Sequence, residues 1–89
     1  MIQKFESTIN NRVHEELGAL YERLLANLDR ELSVQQAMLQ LLEEERVALT
    51  RASVEGIQET NVRKETLLLK EKENSADRQN IADQVKALP

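Results

Sequence analysis

Tyr21, Leu25, Leu28, Leu32, Leu39, Leu42 and Leu49 recur at alternating steps of four and three, with polar Gln35 and Arg46 filling the two gaps. That rhythm is a heptad seam on a long α-helix. Leu20, Leu24, Met38, Leu41 and Ala48 flank it, so the stripe is wider than a strict seam. Upstream, Ile2, Phe5, Ile9, Val13 and Leu17 continue the helical spacing more weakly. Ser7, Asn10 or Asn11 offers an alternative cap there. Ser33 and Gln36 have the spacing of a capping box. The apolar phase runs through position 33 without a reset, so one continuous helix is expected.

The break comes at Thr50-Arg51-Ala52-Ser53-Val54-Glu55-Gly56. Ser53 is a helix cap, and Glu55 in the next first turn suits the helix dipole. Gly56 costs about 1 kcal/mol inside a helix, so it marks a bend or a close packing position. Beyond it the phase continues through Val54, Ile57, Asn61, Lys64, Leu68, Glu71, Ser75, Arg78, Ala82 and Val85, with Leu67, Ile81 and Leu88 beside it. Lys70 to Asn80 is nearly all polar and is expected to fray. The prediction is an all-α, coiled-coil-like antiparallel hairpin forming one domain over residues 1–89. Helix one spans about 3–52, the turn about 50–56 and helix two about 54–88. In this reading Leu28→Asp or Leu42→Asp breaks the hairpin seam.

The two helices are unequal. Helix one is ~75 Å long and helix two ~53 Å at the usual rise. Ten of fourteen leucines lie between Leu17 and Leu49, and only four lie in helix two. Part of the stripe is therefore left without a partner, which marks an interface. A second copy, a further helix or a binding partner would cover it.

Composition narrows the alternatives. The chain has 89 residues, 40% hydrophobic but 2% aromatic, with two glycines and one proline. Sheets and barrels need more turn residues and bulky strand formers. With no cysteine, thiolate metal sites and thiol nucleophiles are excluded. Net charge is −4, with both signs interspersed and no basic stripe, so nucleic acid and anionic membranes are not expected partners. No segment approaches the ~20 apolar residues of a membrane span, and the start lacks a signal-peptide core. A cytoplasmic location is expected.

Little in the chain carries chemistry. His14-Glu15-Glu16-Leu17-Gly18 begins like a zinc-protease helix, but glycine stands where the second histidine belongs. Glu43-Glu44-Glu45 point in different directions around a helix and do not converge on a cation. No glycine-rich phosphate loop exists. No catalytic, cofactor-binding or metal-binding residue is identified, and an enzyme is not expected.

One stretch carries a resemblance. Glu45-x-x-Ala48-Leu49 closes helix one, and about fifteen residues later Lys64 precedes the paired Leu67-Leu68; Arg78 follows, with apolar Ile81 after it. From Leu17 to Ile81 this pattern resembles the FlgN family of flagellar export chaperones. The resemblance implies binding to the hook–filament junction proteins FlgK and FlgL and delivery to the flagellar type III export apparatus. It implies no nucleotide or metal. In that family a C-terminal amphipathic segment holds the client, so Ile81, Val85 and Leu88 are the expected partner-binding residues. Family members commonly continue well past this point. A chain lacking a further C-terminal helix would explain both the ending at Pro89 and the uncovered stripe. The alternative reading is a coiled-coil oligomerisation module with no dedicated client, motivated by the seam with Gln35 and Arg46 in it. A prefoldin-like subunit is a minor candidate, because no β-rich turn is visible.

Overall fold

The computed structural model describes the backbone of residues 2–89 and the side chains of Thr8 and residues 10–89. Two helices follow in order, α1 (Ile2–Thr50) and α2 (Val54–Lys86). Among the described residues there is no strand. The helices pack antiparallel into a rod of 76 × 15 × 12 Å. The expected all-α hairpin is what the chain forms. At ~1.5 Å per residue the 49 residues of α1 account for the whole length of the rod. The 33 residues of α2 cover about two thirds of it. α1 runs without a break through Asn10, Asn11 and Ser33. The packing expected of Ile2, Phe5 and Ile9, and the capping expected of Ser7, lie outside the described side chains.

The turn is set by hydrogen bonds at the end of α1. The Ser53 amide donates to the Ala48 carbonyl at 2.9 Å, and the Ala52 amide donates to Leu49 at 3.1 Å. This is a Schellman closure, which requires a left-handed residue just past the helix. Ala52 takes that role with φ of 52°. Ser53 then caps α2, its hydroxyl accepting from the Gly56 amide at 3.1 Å. Gly56 is a close-packing position. A Cβ there would stand 3.1 Å from the Ala48 Cβ and 3.0 Å from the Ser53 hydroxyl. The absent side chain brings the first turn of α2 onto α1.

The contact line differs from the expected one. Among the described residues of α1 the buried ones are Leu20, Asn27, Val34, Leu41 and Ala48, spaced by seven. Half-buried Leu24, Glu31, Met38 and Glu45 alternate with them. On α2 the inward line is Thr60, Leu67, Asn74 and Ile81, again spaced by seven, and Leu88 just past its end keeps the spacing; Thr60 and Ile81 are buried. On α1 every position of the real seam lies one residue before the line read from the leucine rhythm. On α2, Val54, Asn61, Leu68 and Ser75 are likewise exposed, while Ile57 and Lys64 are half-buried as expected.

Polar matching explains the shift. Glu45 pairs with Lys64 at 2.5 Å, and Glu31 with Arg78 at 3.1 Å. Asn27, fully buried, donates to the Asn74 carbonyl at 2.8 Å and to Asp77 at 3.3 Å. Arg30 reaches Asp77 from the flank at 2.9 Å, and Arg63 pairs with Glu44. Turning α1 by one residue would bring leucines inward but set them against Lys64, Asp77 and Arg78. Lys64, Asp77 and Arg78 each keep a third to a half of their side chain in water, so each pair contributes only about 1 kcal/mol. The three act together with the fully buried Asn27, whose hydrogen bonds the turned register would break. The same pairs hold Lys70 to Asn80 in regular helix, where fraying was expected.

Candidate functional site

The displaced leucine stripe is the feature that the fold leaves open. Tyr21, Leu25, Leu28, Leu32, Leu39, Leu42 and Leu49 are between 43% and 69% exposed. They belong to one helix at heptad spacing, so they form one line along ~42 Å of α1. Gln35 stands at its middle. Glu31, Val34 and Gln35 share a cleft of about 190 Å³ with Glu71, Ser75 and Arg78 of α2. The stripe therefore borders one side of the hairpin groove. Leu68, seven residues before Ser75 and half exposed, adds to the same face from α2.

The edges of the stripe differ in charge. On the α2 side the charges are largely paired, through Glu31–Arg78 and Glu45–Lys64. The outer edge carries exposed Glu22, Asp29 and Glu43, each one residue beyond a stripe position. Arg46 lies in the stripe but bends back to Glu43, with contacts of 2.6 and 3.1 Å. The Arg46 hydrogen bond, and then its charge, hold the Glu43 carboxyl below the usual carboxylate range; the Arg46 guanidinium is raised in turn.

The residues named from the family pattern fall into two groups. Glu45 and Lys64 meet each other across the hairpin, Arg78 meets Glu31, Ala48 packs under Gly56, and Leu67 is half-buried between the helices. Leu49 and Leu68 are exposed. The first group holds the two helices together, and the second belongs to the open face.

The residues named for partner binding are also divided. Ile81 is 2% exposed and sits in the hairpin core, whereas Val85 is 43% exposed. Leu88 is half-buried in a cleft of about 360 Å³ at the open end, facing Glu16, Ala19, Leu20 and Arg23. Reading the sequence alone missed two buried polar residues, Asn27 and Thr60. Thr60 satisfies its hydroxyl on the Ile57 carbonyl at 2.8 Å. The signal that finds both is the seven-residue spacing they share with Leu20, Leu41, Leu67 and Ile81.

Among the described residues no group of three His, Cys, Asp or Glu side chains is placed to hold a metal ion. No described helix is long and apolar enough to cross a membrane. What the surface offers is an apolar line for another helix, at the spacing a helix reads.

Comparison with known proteins places this architecture. Neither the curated proteins nor the solved structures give a match. The family model described as FlgN protein matches residues 20–89, from the buried seam residue Leu20 on α1 through all of α2. With most of the hairpin inside that match, the chain belongs to the FlgN family.

Proposed function

We propose that the protein is a cytoplasmic export chaperone of the bacterial flagellum. It binds the hook–filament junction proteins FlgK and FlgL, keeps them competent for flagellar type III secretion, and hands them to the export apparatus. Family membership supports the chaperone role. The observation that carries the binding mode is the uncovered aliphatic line on α1.

The mechanism is physical. A client segment that forms a helix in the finished flagellum exposes an apolar face before assembly. Laid on the α1 stripe, that face is removed from water and from self-association. The client's side chains at three- and four-residue spacing would fit between Leu25, Leu28, Leu32 and Leu39. Val85 and, just past the end of α2, Leu88 would extend the contact at the open end, with Ile81 holding the last turns of α2 in place. No bond is made or broken, so no cofactor is required.

Calorimetry with terminal helical peptides of FlgK and FlgL tests this reading. Saturable binding is expected, with at least a tenfold loss for Leu39→Asp, the most exposed leucine of the stripe. The absence of binding to either peptide would remove the proposal and leave the coiled-coil module as the better reading.

A further inference from the structure

We infer that the helix taken by the α1 stripe is basic. Lysine or arginine borders its apolar face where it lies over Tyr21 to Leu32, and one more such side chain points from the middle of that face to Glu71. This rests on reading the stripe as the partner-binding face, and it adds the chemistry that selects the partner.

The middle position follows from the ladder of ion pairs across the hairpin. Seven residues back from Glu45 on α1 and seven forward from Lys64 on α2 stand Met38 and Glu71. A second such step reaches Glu31 and Arg78. The outer two rungs are ion pairs, at 2.5 and 3.1 Å. The middle rung sets a thioether against a carboxylate, and Glu71 has no ion-pair partner among the described residues. Glu71 lines the cleft of about 190 Å³ together with Glu31, Gln35, Ser75 and Arg78. Arg78 already matches Glu31, so the cleft keeps one negative charge without a counter-charge. Gln35, the polar interruption at the centre of the stripe, opens on the same cleft. Leu32 and Leu39 stand one turn to either side of it, and Leu68 stands one turn before Glu71. A lysine stem laid along these leucines carries its ammonium to the Glu71 carboxylate and the Gln35 carbonyl. An apolar side chain there would instead strip water from both polar groups.

The edge follows from the charges beside the stripe. Glu15, Glu22 and Asp29 recur every seven residues along its outer side, all exposed and none in an ion pair. Gln36 and Glu43 complete that line, and Arg46 already neutralises Glu43. Between Val13 and Glu45 the only basic residues are Arg23 and Arg30, and both turn to Asp77 of α2. The outer edge is therefore negative along the first half of the stripe and neutral along the second. A second copy of the chain would bring more carboxylates to that edge, whereas a lysine-edged helix brings their counter-charges. An exposed ion pair contributes up to about fivefold to a binding constant. The leucines hold a helix, and the carboxylates choose which one.

Synthetic amphipathic helices sharing one leucine face test the inference, titrated into the full chain by calorimetry. They differ only at the edges (lysine, glutamine or glutamate) and at the centre of the face (lysine or leucine). The lysine-edged, lysine-centred peptide should bind roughly tenfold tighter than its glutamine-edged counterpart. Its affinity should fall as added salt shortens the Debye length from ~10 to ~3 Å. In Glu71→Gln the preference for lysine over leucine at the centre should disappear, with leucine-centred binding unchanged. Glu22→Gln combined with Asp29→Asn should weaken the preference for lysine edges. All three positions are exposed, so helical circular dichroism should match the parent. Equal affinity for lysine- and glutamate-edged peptides overturns the inference, as does a central-lysine preference that survives Glu71→Gln. So does a doubled sedimenting mass that the lysine-edged peptide does not lower, which would give the stripe to a second copy. Peptides of FlgK and FlgL keep the two readings apart. If they bind the stripe regardless of salt and of Glu71, the chaperone role stands and the basic partner falls. If only the lysine-edged peptide binds, the basic partner stands and the FlgK and FlgL reading falls.

Discussion

Ala52 holds a conformation that L-residues rarely adopt, and it does so at the one point where the chain reverses. The left-handed region costs a residue with a side chain ~1–2 kcal/mol. Glycine at this position would relieve that cost while adding ~0.5–1 kcal/mol of unfolded-state freedom. Ala52→Gly is therefore expected to stabilise the hairpin by roughly 0.5–1 kcal/mol, read as a rise of a few degrees in thermal midpoint. An unchanged or lower midpoint would mean that the closure is not the strained element. Asn27 shows a different residue-scale trade. It is fully buried and uses its amide nitrogen twice, yet its Oδ1 has no hydrogen-bond partner on the protein. A buried polar side chain in a seam costs stability and fixes register. Here it ties α1 to the middle of α2, where apolar anchors are absent.

Each helix reveals its own amphipathic face, but the contact between helices is a property of the pair. Both helices, the turn at residues 51–53, the Ser53 cap and the close approach at Gly56 are legible in the local pattern. The rotational phase of α1 is not. Counting leucines favours the line through Leu28 and Leu42. The fold uses the line through Asn27 and Leu41, because Lys64, Asp77 and Arg78 on the opposite helix require Glu45, Asn27 and Glu31. Complementary charge between two segments leaves no mark in the periodicity of either. The consequence is a reversal of the mutational expectation. Leu41→Asp, at a position with no exposure, should cost about 3–5 kcal/mol and collapse the helical signal. Leu28→Asp and Leu42→Asp should leave the melting of the isolated hairpin within about 0.5 kcal/mol of the parent. Equal loss from all three substitutions would place the seam back on the leucine line. The candidate site is legible in the sequence as a stripe with an uncovered part; that the whole line through Leu28 and Leu42 lies outside the hairpin contact is not, because its rhythm is also that of a seam.

The whole molecule is a rod whose length is that of one helix. One copy has a radius of gyration of 21.1 Å and extends 76 Å. Small-angle scattering at low concentration should return a longest dimension near 76 Å. A value near ~130 Å would instead indicate one unbroken helix of 89 residues. The two heptad lines on α1 have a broader consequence: they share no residue, and they are offset by one position along their whole length. If the exposed line holds the client, as proposed, what the chain holds and what holds the chain together are encoded in separate letters. Substitutions along the exposed line would then retune partner choice while the buried line keeps the hairpin closed, leaving descendants of this sequence free to change clients without first becoming unstable.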